Sequence, residues 1–308
     1  MAGATLAHQA FLYDGAEQFA DAMAPLVVAG AERGDRVLVA AKRESTETLR
    51  RKLGDDAGRI EIHDTLEWYP RPVDRLMAVQ QAIVGLPPDT RLLALGEPIW
   101  NGSAATRREW VRYESTINVA LADAPLRFIC LYDRSELPAE IVAHGRSTHP
   151  ELVADGVGCP CAAFEQPADC VRELDASAPP APADDRCRID FDGDYHAFRG
   201  VLAASARELG MEPDRADELV LAANEVVTNA VVHGEAPVSV RCWAADGELV
   251  CEVADAGPGV ADPFAGWELP QPPSPGGWGL ALARRVCDAL ELAGGGDESR
   301  VRLYLALA

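Results

Sequence analysis

The sequence predicts an α/β protein in two parts: an N-terminal doubly wound, mostly parallel sheet, and a C-terminal layer of helices on one face of a mixed sheet. Three observations predict it. Apolar strand-like runs alternate with helical patterns through the first half. A Pro/Ala/Asp-rich stretch then interrupts the alternation, with "DASAPPAPADD" at its centre. The last third changes order to strand, helix, helix, strand, strand, helix, strand. A chain of 308 residues suits two ordinary domains, and a hydrophobic fraction of 48% supplies two cores. The boundaries read as 6–165, a linker at 166–186, and 187–308.

In order, "QAFLYD" opens the first domain and a helix near 16–33 follows. "RVLVAA", a helix near 44–53, "IEIHD" and a helix near 73–84 come next. "RLLALGEPIW", a helix over 104–123 and "RFICLYD" complete the pattern. Strands near 36–41, 92–96 and 127–132 are continuously apolar, as strands covered on both faces should be. No G-x-x-x-x-G-K-[ST] or G-x-G-x-x-G follows the first strand, so nothing supports nucleotide binding in this half. The proline-rich linker should act as a semi-rigid spacer.

The second domain starts with "RIDFDGDYHAFRGVLAASARELG", a strand and a helix near 194–209. Pro213 and Asp214 open the next helix and Gly234 ends it. "PVSVRCWA" and "ELVCEVAD" are joined by "ADG", a hairpin signal. A Pro/Gly-rich flexible loop covers 257–277, "WGLALARRVCDAL" reads as a helix, and "SRVRLYLAL" as the closing strand.

The net charge of −21 argues against a nucleic-acid or anionic-membrane partner, since both need clustered Lys and Arg. No apolar run approaches the roughly 20 residues of a membrane span. The N-terminus lacks a basic region before an apolar core, so a cytoplasmic location is expected. The eight cysteines read as reduced, mostly core residues. Cys159 and Cys161 in "GCPCAAF", with His149 nearby, suit a metal or a redox pair. C-x-C without a second pair reads first as structural.

The chemistry concentrates in three stretches. In "LAANEVVTNAVVHG", Glu225, Asn229 and His233 fall four apart, one above another on a helix, with Glu218 and Ala222 on the same stripe. Leu219, Val220, Val226, Val227, Ala230 and Val231 lie opposite and are expected to be buried. "DAGPGV" follows a strand and "GGWGLALAR" opens a helix. Asp255 can accept from the exocyclic amine of a base, and Gly257 and Gly259 let that base approach the backbone. Gly277 and Gly279 expose N–H groups at a helix start, a site for phosphates. Asn229 offers an oxygen to Mg²⁺, and Glu225 can take a proton from an attacking hydroxyl. Each piece alone is common; the ordered trio is not.

These three stretches resemble the N, G1 and G2 boxes of the GHKL ATPases, with their Bergerat α/β sandwich. The closer likeness, over about 187–308, is to the anti-sigma regulatory factors, serine/threonine protein kinases of this fold. The resemblance implies ATP and Mg²⁺ as cofactors, Glu225 as catalytic base and Asn229 as Mg²⁺ ligand. It implies Asp255 at adenine, with Gly257, Gly259, Gly277, Gly279 and Leu280 shaping the nucleotide site. It gives His233 a supporting role, against the plain reading of a cation on the helix C-terminus. The lid, "VADPFAGWELPQPPSPG", departs from what phosphoryl transfer needs: it has Asp262 and Glu268 but no Lys or Arg. That leaves Arg284, Arg285 or a partner protein to supply the cation. Ser299 stands where the family usually has Thr.

"HQAFLYDGAEQF", "GEPIWNGSAATRREWVRYESTINVAL", "CLYD" and "THPELV" are similar to the MEDS sensory domain of regulators that respond to small organic compounds. His8, Tyr13, Glu97, Trp100, Glu114 and Asn118 match its motif places. Glu114 and Asn118, again four apart, can equally tie a helix to the sheet.

The expected protein is thus a cytoplasmic sensor fused to an ATP-dependent anti-sigma-type kinase. Its expected partners are an anti-anti-sigma protein of STAS type and/or a sigma factor. A small-molecule ligand of the first domain and a homodimer are further expectations. The alternatives are a non-catalytic, nucleotide-gated interaction module and a sensor histidine kinase.

Overall fold

A computed structural model describes residues 5–177, 179–182, 187–268, 277–294 and 298–307. The chain divides into two compact units. One runs to Gly102 and from Trp110 to Cys170; the other takes Ser103–Glu109 and everything from Val171.

The first unit is doubly wound. β1 (Ala7–Tyr13), α1 (Gly15–Glu32), β2 (Arg36–Ala41), α2 (Arg43–Leu53), β3 (Glu61–Asp64) and α3 (Pro72–Val84) begin it. β4 (Leu92–Gly96), α4 (Ala104–Ala120), β5 (Leu126–Asp133), α5 (Ala139–Thr148), β6 (Glu151–Ala154) and β7 (Val157–Pro160) complete it. The sheet order is β3-β2-β4-β5-β1-β6-β7, and every pairing but β6–β7 is parallel. β2, β4 and β5 are buried along nearly their whole length, which explains their unbroken apolar runs. Phe11, Tyr13, Val37, Val39, Leu93, Leu95, Ile129 and Leu131 alternate onto one face and pack against α1 and α2. The sequence reading missed α5 and the β6–β7 hairpin. The hairpin signal was present: Asp155 and Gly156 hold φ of 50° and 75°, the positive values its two-residue turn needs.

The second unit contains β8 (Cys187–Asp190), α7 (Tyr195–Glu208), α8 (Pro213–His233), β9 (Ser239–Ala245) and β10 (Glu248–Asp255). α9 (Trp278–Val286), β11 (Ala289–Gly294) and β12 (Ser299–Ala306) follow. Asp194 caps α7, accepting from the His196 and Ala197 amides at 2.9 and 3.0 Å. The core is one-sided: Phe198 and Leu202 of α7, Leu219, Val226 and Val227 of α8, and Ala283 of α9 pack onto Val240, Cys242, Leu249, Cys251, Leu303 and Leu305.

Three expectations are corrected. The sheet, in the order β11-β12-β10-β9-β8, was expected to be mixed, yet every pairing among the described residues is antiparallel. The cause is β11: the sequence reading ended a helix on its first two residues and left the rest unassigned. α9 carries the chain to β11, and β12 then folds back between β11 and β10, antiparallel to both. Val231 is 48% exposed and Val220 only half-buried, whereas Ala222, expected on the polar stripe, is fully buried beside Ala223, so the buried face of α8 is turned from the expected one. The stretch 166–186 is not all spacer. Pro167–Ala176 forms a further helix, α6, which buries Cys170, Val171 and Leu174. The Pro179 and Pro182 carbonyls accept hydrogen bonds from Arg302 and Arg241, so this part of the segment lies against the sheet.

Leu219→Ala, at a fully buried position, should cost about 2–5 kcal/mol in urea unfolding. Val231→Ala, exposed on the same helix, should stay within about 0.5 kcal/mol.

Candidate functional site

Helix α8 is a wall shared by the three predicted stretches. At its middle, Glu225 and Asn229 are half-buried and face the start of α9. A Cβ added at Gly279 would lie 3.1 Å from Glu225 Oε2 and 3.2 Å from Asn229 Nδ2, so only glycine lets α9 come this close without displacing them. At its end, Gly234 and Glu235 meet the end of β10. Asp255 Oδ1 accepts from the Gly257 amide at 2.8 Å and the Glu235 amide at 3.3 Å. A Cβ on Gly257 would fall 2.7 Å from Asp255 Oδ1 and 3.1 Å from the Glu235 nitrogen. The Asp255 carboxylate, 8% exposed, is thus fixed in orientation by backbone donors.

Gly259 turns with φ of 82°, and a Cβ there would sit 3.7 Å from Ser299. Ser299 pairs with Asp255 across the β10–β12 ladder, which places its hydroxyl-bearing residue beside the carboxylate. Gly277 occupies the N-cap of α9 in a left-handed conformation. His233 is the exposed last residue of α8. Leu280 is half-buried against the core, under Gly266, whose added Cβ would meet the Leu280 carbonyl at 2.8 Å. The loop between the glycine stretches was expected to be flexible. Its first part instead folds in turns over Ala261–Glu268 and buries Trp267; residues 269–276 lie outside the described residues. Arg284 is stacked 4.7 Å over Trp267 and donates to the Leu290 and Ala265 carbonyls. It is 3% exposed and already committed, so it is not a ready cation for a phosphate. Arg285 is exposed.

In the first unit, His8, Glu114 and Asn118 come together: His8 Nδ1 lies 3.0 Å from Asn118 Oδ1, and Nε2 lies 3.3 Å from Glu114 Oε2. Tyr13 and Glu97 lie elsewhere, at the carboxyl ends of β1 and β4. The Trp100 ring packs 5.9 Å from Tyr132.

Residues 7–150 match the family described as MEthanogen/methylotroph, DcmR Sensory domain (MEDS), and residues 192–305 match the Histidine kinase-like ATPase domain. The chain joins a MEDS domain to a histidine kinase-like ATPase domain. No curated protein matches it. Among solved structures it aligns with the histidine kinase domain from Erythrobacter litoralis EL346 blue-light activated histidine kinase. That alignment has 18% identity over 55% of this chain and 81% of that one, with a TM-score of 0.26.

Within the MEDS domain, the strand ends carry a charged cluster that the sequence reading only half found. The Glu97 carboxylate accepts from the Lys42 amide at 2.7 Å. Lys42 Nζ reaches past it to Asp133 at 2.8 Å and Glu136 at 2.7 Å. Asp133 Oδ1 also accepts from the Gly15 and Ser135 amides, at 3.1 and 3.0 Å. Lys42 and Asp133 escaped notice because they join only in three dimensions, from the ends of β2 and β5. Open crevices at the carboxyl ends of parallel strands are where doubly wound sheets take ligands. Cys159 is exposed on β7, and Cys161 Sγ bonds the Arg146 carbonyl. Their suspected companion His149 is drawn to other neighbours.

Burial, reinforced by Asp133 and Glu136, raises the Glu97 pKa from 4.5 to about 7; bonding and attraction from Lys42 oppose the rise only in part. Between those values the folded chain holds more protons than the unfolded chain. Glu97 therefore takes stability away as pH climbs from 4.5 to about 7. Glu97→Gln keeps an acceptor for the Lys42 amide and removes this penalty. It should raise the melting temperature at pH 8 and leave it nearly unchanged at pH 4.5, as read by differential scanning calorimetry.

Proposed function

We propose that this chain is a sensor-coupled, ATP-dependent regulator whose ATPase domain works as an anti-sigma-type serine/threonine kinase. One observation carries the reading: α8 presents Glu225 and Asn229 to the glycine start of α9 and, two turns on, packs against Asp255 and Gly257. The residues fit a purine nucleotide. Asp255, locked by backbone donors and flanked by Ser299, offers a carboxylate of fixed orientation to an exocyclic amine. Gly257 and Gly259 leave the base edge clear of side chains. The free amides of Gly277 and Gly279 at the start of α9 favour phosphates. Leu280 and His233 border the site, on α9 and at the end of α8.

Asn229 would hold Mg²⁺, whose charge would offset that of the phosphates. Glu225 would take the proton from a partner serine hydroxyl. The serine oxygen then forms its bond to the γ-phosphorus, the bond to the β-phosphate oxygen breaks, and ADP leaves. The partner would be an anti-anti-sigma protein of STAS type, with a sigma factor as the competing one. The MEDS domain would take a small ligand, with the Glu97, Lys42 and Asp133 cluster as its polar lining. A homodimer of the ATPase domain is part of the same reading.

Arg284 favours a second reading. Its burial over Trp267, with the acidic lid residues Asp262 and Glu268, withholds one of the two candidate cations from the transition-state charge. In that case nucleotide only sets the conformation that partners recognise.

The test is incubation with Mg-ATP and candidate partners, followed by phosphosite mapping. Phosphoserine on the partner supports the kinase; nucleotide binding without transfer selects the second reading. Asp255→Asn keeps an oxygen for the Gly257 and Glu235 amides. It should still weaken ATP about ten- to a hundredfold in calorimetry, the worth of a hydrogen bond to a charged group. Glu225→Gln should abolish transfer with ATP affinity changed less than about threefold. Equal losses of affinity in both variants would remove Glu225 from the role of base.

A further inference from the structure

We propose that His8, Glu114, Cys130 and His149 form a closed, buried site for one divalent metal ion of the zinc type, inside the MEDS domain. The four come from β1, α4, β5 and the α5–β6 junction. All four are buried, and their ligand atoms lie within 4.8 Å of one another. His8 Nε2 and His149 Nε2 approach the same oxygen, Glu114 Oε2, at 3.3 and 3.2 Å. Cys130 Sγ lies 3.5 Å from His8 Nε2. A tetrahedron with zinc bonds of about 2.0–2.3 Å has edges of about 3.3–3.7 Å. The three measured separations are close to such edges.

The outer contacts fix where the ring protons sit. The Asn118 amide nitrogen donates to the Glu114 and Thr148 carbonyls at 3.2 and 2.9 Å. Its oxygen is therefore what faces His8, and His8 Nδ1 must carry the proton. His149 Nδ1 lies 2.8 Å from the Gly145 carbonyl, so it also carries its proton. With each ring neutral, its Nε2 lone pair then points inward. This is the arrangement by which a second layer of acceptors orients metal-binding imidazoles.

With both rings neutral and no cation, the arrangement is repulsive. Two nitrogen lone pairs face one carboxylate oxygen. Glu114 is itself fully buried. Its other oxygen, Oε1, is buried and has no hydrogen-bond partner among the described residues. A buried carboxylate left in this state is costly.

A divalent ion answers each point. It accepts both lone pairs and the carboxylate, and it displaces the Cys130 proton to solvent as the thiolate binds. Two neutral imidazoles, one carboxylate and one thiolate then sum with the ion to zero net charge. Mixed nitrogen, oxygen and sulfur donors suit zinc and exclude calcium and magnesium, which take oxygen ligands. With four protein ligands and no exposed face, the site is structural in type. It pins α4 and the start of β6 to the centre of the sheet.

The experiment uses the full chain, refolded after chelation with and without Zn²⁺ or Co²⁺. One equivalent of zinc should be retained through dialysis. The cobalt form should show a thiolate-to-metal charge-transfer band. Cys130→Ser should lose that band, and Cys130→Ser and Glu114→Gln should each weaken metal binding at least about a hundredfold, exceeding the loss for second-layer residues. His63→Ala, outside the cluster, should bind like the parent. Circular dichroism checks that each variant is folded; both changes are near-isosteric to keep it so. A folded parent that takes up neither metal overturns the proposal. So does a charge-transfer band that survives in Cys130→Ser, or parental affinity in both ligand variants.

Discussion

The close approach of α9 to α8 is the constraint on which the C-terminal half depends. Glycine at position 279 brings the backbone of one helix against the carboxylate and amide of the other. The C-terminal end of α8 receives the turn that follows β10. Because α8 is also the main apolar contributor to the core, its position is set by burial before any ligand arrives. Site geometry and core packing are therefore one problem, solved on opposite faces of a single helix.

The sequence carried the fold class and the three C-terminal stretches because both are local signals. Helical spacing placed Glu225 above Asn229, and continuous apolar runs marked β2, β4 and β5. What it did not carry is what depends on pairing. Ala289–Gly294 has a composition that fits a helix, and only β12 makes it a strand. That single omission produced the expectation of a mixed sheet. α6 was hidden by the proline-rich tract beside it, although Cys170, Val171 and Leu174 have helical spacing. The burial of Arg284 depends on Trp267, in a loop whose docking no spacing rule predicts.

The MEDS domain shows the same division. Glu114 and Asn118 were visible as neighbours on a helix, and His8 as a residue of β1. The contribution of His149 was not, because local sequence linked it with Cys159 and Cys161. Cys130 looked like any apolar-strand cysteine. The domain spends its buried polar groups in two places: around His8 in the interior, and around Lys42 where the strands end. The first is sealed from solvent; the second is partly exposed through Lys42 and Glu136.

The proline-rich tract at 179–182 has a mechanical meaning. Its carbonyls are acceptors for guanidinium groups on β9 and β12, and the Arg302 side chain also pairs with Glu252 on β10. Arg241 and Arg302 thereby link the tract to three adjacent strands. Two of those strands end at the Asp255–Ser299 pair. The tract at 179–182 is thus anchored on the sheet by charged side chains rather than hanging loose beside it.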